Sequence, residues 1–311
     1  MKLRNRGYII IIIVLLLSNF TTLYVSSHYR KSFEATSLTN PYPFIDFSRS
    51  FIEQKYFIVN LKPLREYAVN LLSSYPDASI SVYIEFLNTG SNISLNPEMR
   101  VNPASLTKVP VAMMYMKKIE EGVLAMDTEF NLTEEDRDSG WGDLYKSKPG
   151  ATFTLDELLQ QSLINSDNTA HNILYKNLSL NDVTQFGDTL GLEELFNEAG
   201  EISAKEYSRL FRALYTSSYL NRESSQQMLF WLSKSPYDEY LNSGLSSDVV
   251  FAHKFGEKNQ EGLYLDSGIV YVPNKPYLIT VFVADTTDTG RASALNFMEK
   301  LSSEAYNYLN F

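Results

Sequence analysis

The 311-residue sequence contains no cysteine and only three histidines, His28, His171 and His253. The first absence excludes a disulfide framework, an iron–sulfur cluster, a thiolate zinc site and a cysteine nucleophile. The second leaves no histidine with a metal-like partner one helical turn away, so no metal or organic cofactor is expected. No G-x-S-x-G elbow is present either, and a hydrolase built on this chain needs a base other than histidine. Long apolar runs are scarce as well: beyond the N-terminus none approaches bilayer length, which excludes a polytopic membrane protein. With 44% hydrophobic and 21% charged residues, wholesale disorder is excluded too.

Charge is divided unequally. Lys2, Arg4, Arg6, Arg30 and Lys31 precede the first acid, Glu34, whereas the rest of the chain carries 22 basic and 37 acidic residues. Such an acidic body repels nucleic acid, and no nucleic-acid partner is expected. The basic start leads into the apolar run Tyr8–Leu17, which softens towards Val25. At about 1.5 Å per residue, Tyr8–Val25 reaches ~27 Å, enough to span a bilayer. The first alanine is Ala35, so no A-x-A cleavage site follows the run. Residues 1–26 are therefore expected to form an uncleaved signal anchor, with residues 27–60 as a tether. The body would be held at the cell membrane by a single pass, on the extracytoplasmic side.

Periodicity divides the body. Leu61–Tyr75 has helical spacing, Ser79–Leu87 alternates as a strand, and Asn92–Leu95 suits its hairpin partner. Helical patterns then dominate: Val109–Ile119, Thr154–Leu163, Thr169–Leu178, Ser203–Tyr215 and Ser224–Leu232, with Ser203 and Ser224 as N-cap candidates. Three strand-like segments follow, Val249–Phe255, Leu263–Val272 and Tyr277–Ala284, before a closing helix over Ala292–Leu309. The simplest arrangement is an α/β (α+β) fold over residues 61–311. In it one antiparallel sheet draws strands from both ends, terminal helices flank it, and an all-helical block is inserted at about 101–235.

Three short elements can carry chemistry. Ser105-Leu106-Thr107-Lys108 is the only Ser-x-x-Lys in the chain; at a helix start it sets Lys108 one turn beyond Ser105 on the same face. A lysine of lowered pKa can take the proton that keeps a serine hydroxyl inert, and the N–H groups of a helix start can stabilise an oxyanion. Alone, the pair reads equally as a helix-capping serine and a solvated lysine. Ser166-Asp167-Asn168 lies between two helices; in an extended link Ser166 and Asn168 would share a side, although helix capping accounts for such residues too. His253-Lys254-Phe255-Gly256 lies on a late strand, where Lys254 offers positive charge and Gly256 permits close approach of a substrate backbone; a strand lysine facing solvent is the plainer reading.

Taken in order, Ser-x-x-Lys, Ser-Asp-Asn and Lys-Phe-Gly resemble the three signatures of penicillin-recognising serine enzymes, with Lys-Phe-Gly in place of Lys-Thr-Gly. The flanks NPASLTKVP (102–110) and the run ending SDNTA (166–170) are similar to those of class A β-lactamases, a likeness covering roughly residues 62–311. The resemblance implies a β-lactamase/transpeptidase-like fold and amide cleavage through a Ser105 acyl-enzyme, the substrate being a small-molecule β-lactam or a D-Ala-type peptidoglycan stem peptide. It assigns Lys108 as base or proton relay and Ser166 as the shuttle to the leaving nitrogen. Asn168 would hold the substrate amide and brace Lys108, Lys254 would attract the substrate carboxylate, and the backbone N–H groups of Ser105 and Glu257 would form the oxyanion hole.

Departures from that pattern matter. Phe255 removes a hydroxyl aimed at the substrate carboxylate, and Glu257 adds an anion beside the oxyanion hole. The family's water-activating glutamate has one counterpart here, Glu193 in Glu193-Glu194-Leu195-Phe196-Asn197, but its loop is too short to curl over Ser105 easily. A slow-deacylating D,D-peptidase, or a non-catalytic envelope module that binds peptidoglycan or β-lactams, is therefore the alternative. Pro110 lacks the N–H that would pair with the Leu106 carbonyl, so a kink is expected near the start of the active-site helix.

Overall fold

The computed structural model describes residue 44 and residues 59–148, 150–196 and 200–310. Its centre is a five-stranded sheet in the order β2-β1-β9-β8-β7, antiparallel throughout. Strands β1 (Ser79–Phe86) and β2 (Ser91–Leu95) come from the front of the body; β7 (Phe251–Lys258), β8 (Leu263–Val270) and β9 (Tyr277–Ala284) come from its end. The two sources join where β1 pairs with β9, with Ile84 opposite Ile279.

Both faces of the sheet are covered. Ile80, Val82, Ile84 and Phe86 share a core with Leu64 and Ala68 of α1 (Lys62–Leu72) and with Phe297, Met298 and Leu301 of α8 (Gly290–Asn310). The alternate residues of β1 are buried as well. Glu85 accepts from Arg212 Nε at 3.0 and 2.9 Å, and Tyr83 Oη accepts from the same guanidinium at 2.8 Å. Arg212 belongs to α6 (Ala204–Tyr215), so the polar stripe of β1 docks the helical block rather than facing water.

That block comprises α2 (Lys108–Glu120), α3 (Leu155–Ile164), α4 (Asn168–Lys176), α5 (Leu180–Leu190), α6 and α7 (Arg222–Leu232). Short ladders β3–β6 (Arg100–Val101 with Ile202–Ser203) and β4–β5 (Glu129–Asn131 with Thr152–Thr154) brace its connections. Helix starts follow local capping chemistry. Thr154 and Ser203 form capping boxes with Glu157 and Glu206. Helix α7 begins earlier than expected because Asn221 is its cap, and Ser224 supplies the N–H that the cap accepts. Helix α5, absent from the sequence reading, carries the same kind of signal: a Ser179–Asp182 capping box and a left-handed Gly191 at its end.

The expected membrane helix requires correction. Among the described residues no helix is long and apolar enough to cross a membrane. The longest, α8, carries Arg291, Glu299, Lys300 and Glu304 and packs its apolar side on the sheet. The segment Tyr8–Val25, on which the anchor rested, lies outside the described residues, as does nearly all of the proposed tether. The described residues therefore form an antiparallel sheet flanked by helices, with no helix among them long and apolar enough to cross a membrane. The single-pass location and the membrane partnership inferred from that segment are withdrawn with it.

Candidate active site

A 3-10 turn, Ala104–Thr107, carries Ser105 and runs directly into α2, whose first residue is Lys108. Helix α2 runs without a break through Pro110. Proline falls in the first helical turn, where its missing N–H costs least, and Tyr207 Oη of α6 donates to the Leu106 carbonyl at 2.9 Å in its stead. Ala104 holds a left-handed φ of +49° immediately before Ser105, its N–H donating to Asn102 Oδ1 at 3.0 Å. Across the cleft, β7 is the edge strand of the sheet and packs on this turn through Gly256. A Cβ there would stand 3.0 Å from the Pro103 carbonyl oxygen and 3.3 Å from Ala104 Cβ. Gly256 thus admits the turn that carries Ser105.

The link between α3 and α4 is not extended. Ser166 is left-handed at φ +53°, and Asp167 caps α4 by accepting from Ala170 N at 2.8 Å. This bend still presents Ser166 and Asn168 to the same lysine. Lys108 Nζ lies 2.8 Å from Ser105 Oγ, 2.8 and 3.2 Å from the carbonyl and hydroxyl oxygens of Ser166, and 2.7 Å from Asn168 Oδ1. Lys254 Nζ donates to the Ser166 hydroxyl from the other side at 2.8 Å and to its neighbour's carbonyl, Phe255 O, at 3.3 Å. One hydroxyl therefore bridges two amines drawn from opposite halves of the chain.

Both amines are buried, each with 1% residue exposure. Burial lowers the Lys108 pKa to about 7 against the pull of Asp167 and Asp138. Lys254 is also driven well below the usual lysine range, first by burial and then by the charge of Lys108, with Asp266 opposing. An ammonium has three hydrogens, and Lys108 Nζ faces four oxygens; in the neutral amine, the lone pair is free to accept the Ser105 proton at 2.8 Å. Such an arrangement is one that can activate a serine hydroxyl without histidine.

Several contributors were not legible in the motifs. Asp138 accepts from Asn168 Nδ2 at 3.0 Å and so fixes which end of that amide meets Lys108. Asp167, fully buried, also accepts from the N–H groups of Asp143 and Leu144 at 2.7 and 2.9 Å, tying the loop beyond Trp141 to the Ser-Asp-Asn corner. His171 lies one turn along α4, with Nε2 3.4 Å from Thr107 Oγ1 and a buried Nδ1 without a partner. Burial, Lys108 and Lys254 lower its pKa to about 3. Among these, the Asp167 cap alone had a local sequence signal.

Glu257 and Glu193 stand apart from the amines. The Glu257 carboxylate accepts from Arg291 Nε at 3.3 and 3.2 Å and from Tyr240 Oη, which compensates the anion expected to disturb an oxyanion hole. Glu193 sits in a 3-10 turn, Glu193–Phe196, exposed and beside a small cavity of about 90 Å³ that it lines with Arg100, Glu194 and Glu206. No glutamate is among the Lys108 Nζ partners.

Comparisons with known proteins agree with this geometry. The profile of the Beta-lactamase enzyme family matches residues 63–309. The β-lactamase VEB-1 of Pseudomonas aeruginosa is 23% identical over 257 residues, covering 75% of this chain and 86% of that protein. A β-lactamase of Bacteroides uniformis is 23% identical over 269 residues, 78% of this chain and 90% of its own. Among solved structures, PBP-A superposes with a TM-score of 0.72 at 21% identity, over 80% of this chain and 97% of that one. A β-lactamase from Sphaerobacter thermophilus gives 0.71 at 19% identity, over 81% and 98%. A profile match running almost from the first residue of α1 to the last turn of α8 places the chain in the β-lactamase enzyme family, as a β-lactamase-like serine hydrolase.

Proposed function

We propose that this hydrolase cleaves a β-lactam or D-Ala-type amide through a Ser105 acyl-enzyme and releases the acyl group slowly. Ser105 Oγ attacks the carbonyl carbon while its proton passes to Lys108 Nζ. The C–N bond then breaks, and a proton reaches the leaving nitrogen through the Ser166 hydroxyl. Asn168 holds the substrate amide, and the backbone N–H groups of Ser105 and Glu257 stabilise the oxyanion. Water later cleaves the acyl ester and restores the free serine. The observation that carries the reading is the Lys108–Ser105 contact at 2.8 Å, made by an amine whose pKa is near 7.

Slow release rests on the surroundings of that contact. The exposed Glu193 belongs to a separate cavity, and the four oxygens around Lys108 Nζ include no carboxylate to activate water. The pattern favours a D,D-peptidase-like profile over rapid β-lactam turnover. The structural relative PBP-A was itself captured, as its L158E mutant, in an acyl-enzyme complex with penicillin-G. Incubation with a fluorescent penicillin is expected to label Ser105 covalently and to retain the label for many minutes, whereas Ser105→Ala gives none. Reversible binding indifferent to Ser105→Ala would instead indicate the non-catalytic binding module.

A further inference from the structure

Strand β7 carries a second buried titratable group immediately before Lys254. His253 and its partner Asp266 on β8 are 1% and 0% exposed, and His253 Nδ1 lies 2.9 and 3.2 Å from the two carboxylate oxygens. Asp266 Oδ2 also accepts from Leu241 N at 3.1 Å. A carboxylate only accepts, so Nδ1 carries the hydrogen; a neutral imidazole in that tautomer leaves the carboxylate its full charge. The backbone is shaped for the pair. His253 faces Gly268 across the ladder, where a Cβ would stand 2.5 Å from His253 Cβ and 2.4 Å from the Ala252 carbonyl oxygen. A larger residue at 268 would displace the imidazole or part the strands.

This pair lies directly behind the site. Residues alternate along β7, so His253 and Phe255 point to one face of the sheet and Lys254 to the other. Asp266 stands opposite Phe255, and Lys254 stands opposite Ser267. The carboxylate and the lysine are therefore neighbours through the thickness of the sheet, in buried surroundings where charge is weakly screened. Lys254 needs such a charge. Its Nζ donates to Ser166 Oγ and Phe255 O, both neutral. Phe255 is itself held by ring contacts with Trp141 and Tyr237, at 5.1 and 4.5 Å between centroids. Burial and the charge of Lys108 work against a protonated Lys254, and Asp266 works for it. A buried amine with neutral partners would otherwise shed its proton.

We infer that Asp266 is a positioning residue for the reaction: its buried carboxylate, seated on His253, keeps Lys254 a cation for an approaching substrate carboxylate. The inference rests on the proposed Ser105 chemistry. It is tested by comparing benzylpenicillin with its methyl ester as acylating agents, following the Ser105 adduct by mass spectrometry. In the parent the free acid is expected to acylate at least tenfold faster than the ester. Asp266→Asn keeps the shape but removes the charge, and should lower that ratio at least tenfold through the free acid, with the ester rate changed less than threefold. His253→Asn leaves the carboxylate in place; it should lower the thermal transition yet hold the ratio within threefold. This second variant decides the case even where Asp266→Asn does not fold. A ratio that collapses in folded His253→Asn makes the pair a packing clamp alone and overturns the inference. So does a parent ratio near one, or a ratio unmoved in folded Asp266→Asn, and each of these leaves the acyl-enzyme reading intact. An adduct from neither compound overturns both.

Discussion

Lys108 ties both activity and stability to pH, and Lys108→Met separates the two. With an ordinary lysine pKa of 10.5, about one amine in three thousand is neutral at pH 7. At a pKa of about 7, roughly half are, a gain of about 10³ in available base. Acylation of Ser105 should therefore climb with pH, bend near 7 and level off above it. Stability runs the same way for a different reason. Between about 7 and 10.5 the unfolded chain keeps a proton that the folded chain has lost, so folding gains stability as pH rises through that window. The full difference is ~5 kcal/mol, the free-energy equivalent of that displacement for a group this buried. Below pH 7 the whole penalty is present. Lys108→Met removes it, offset by the loss of hydrogen bonds to Ser166 and Asn168 at about 1–3 kcal/mol each. The variant should thus acylate about 10²–10⁴-fold more slowly yet melt no lower than the parent at pH 6. Stopped-flow labelling and calorimetry from pH 5 to 9 check both arms. A pH-independent acylation rate, or a variant that retains it, would refute the assignment of Lys108 as the base.

Three further outcomes follow from single contacts. Asp167→Ala removes the α4 cap and the acceptor for two loop N–H groups, which should cost about 3 kcal/mol and lower the melting temperature by roughly 6–12 °C; an unchanged transition would mean that water replaces all three bonds. Gly256→Ala places a methyl 3.0 Å from the Pro103 carbonyl and must push the turn bearing Ser105, so acylation should fall about tenfold with the overall fold retained. Glu193→Gln should change the lifetime of the acyl-enzyme by less than about twofold, since general acid–base assistance of 10²–10⁴-fold needs a group within reach of the reacting water; a hundredfold longer lifetime would make Glu193 the deacylation base after all.

What the sequence disclosed was local or periodic. Ser105 and Lys108 stand one turn apart because helical geometry demands it, and Tyr277–Ala284 was legible to the residue because every position of β9 is apolar or β-branched. The strand β7 began two residues later and ran three further than its apolar pattern, since an edge strand ending in Gly256, Glu257 and Lys258 has little hydrophobic signal. Alternation in β1 was read correctly, but it could not reveal that Tyr83 and Glu85 would be buried, because their partner Arg212 lies far along the chain. Asp138, Trp141 and Tyr237 were illegible for the same reason. Each acquires its role only when a loop closes on a distant motif, and none belongs to a periodic element. The Leu106 carbonyl, left without a helical donor by Pro110, is paired by Tyr207 instead, a compensation with no local mark.

The site gathers in one place several features that are costly to a fold. Two lysines are buried, and their combined burial is offset through Asp167, Asp138 and Asp266 rather than by a direct carboxylate partner. Ala104 and Ser166 hold left-handed backbone at a cost of about 1–3 kcal/mol each. These departures act together. The charge of Lys108 adds to the burial that depresses Lys254, and the Ser166 hydroxyl touches both amines, at 3.2 Å from Lys108 Nζ and 2.8 Å from Lys254 Nζ. In the proposed reaction the Ser105 proton would pass to Lys108 at 2.8 Å, and a proton would return to the leaving nitrogen through the Ser166 hydroxyl, which lies between the two buried amines.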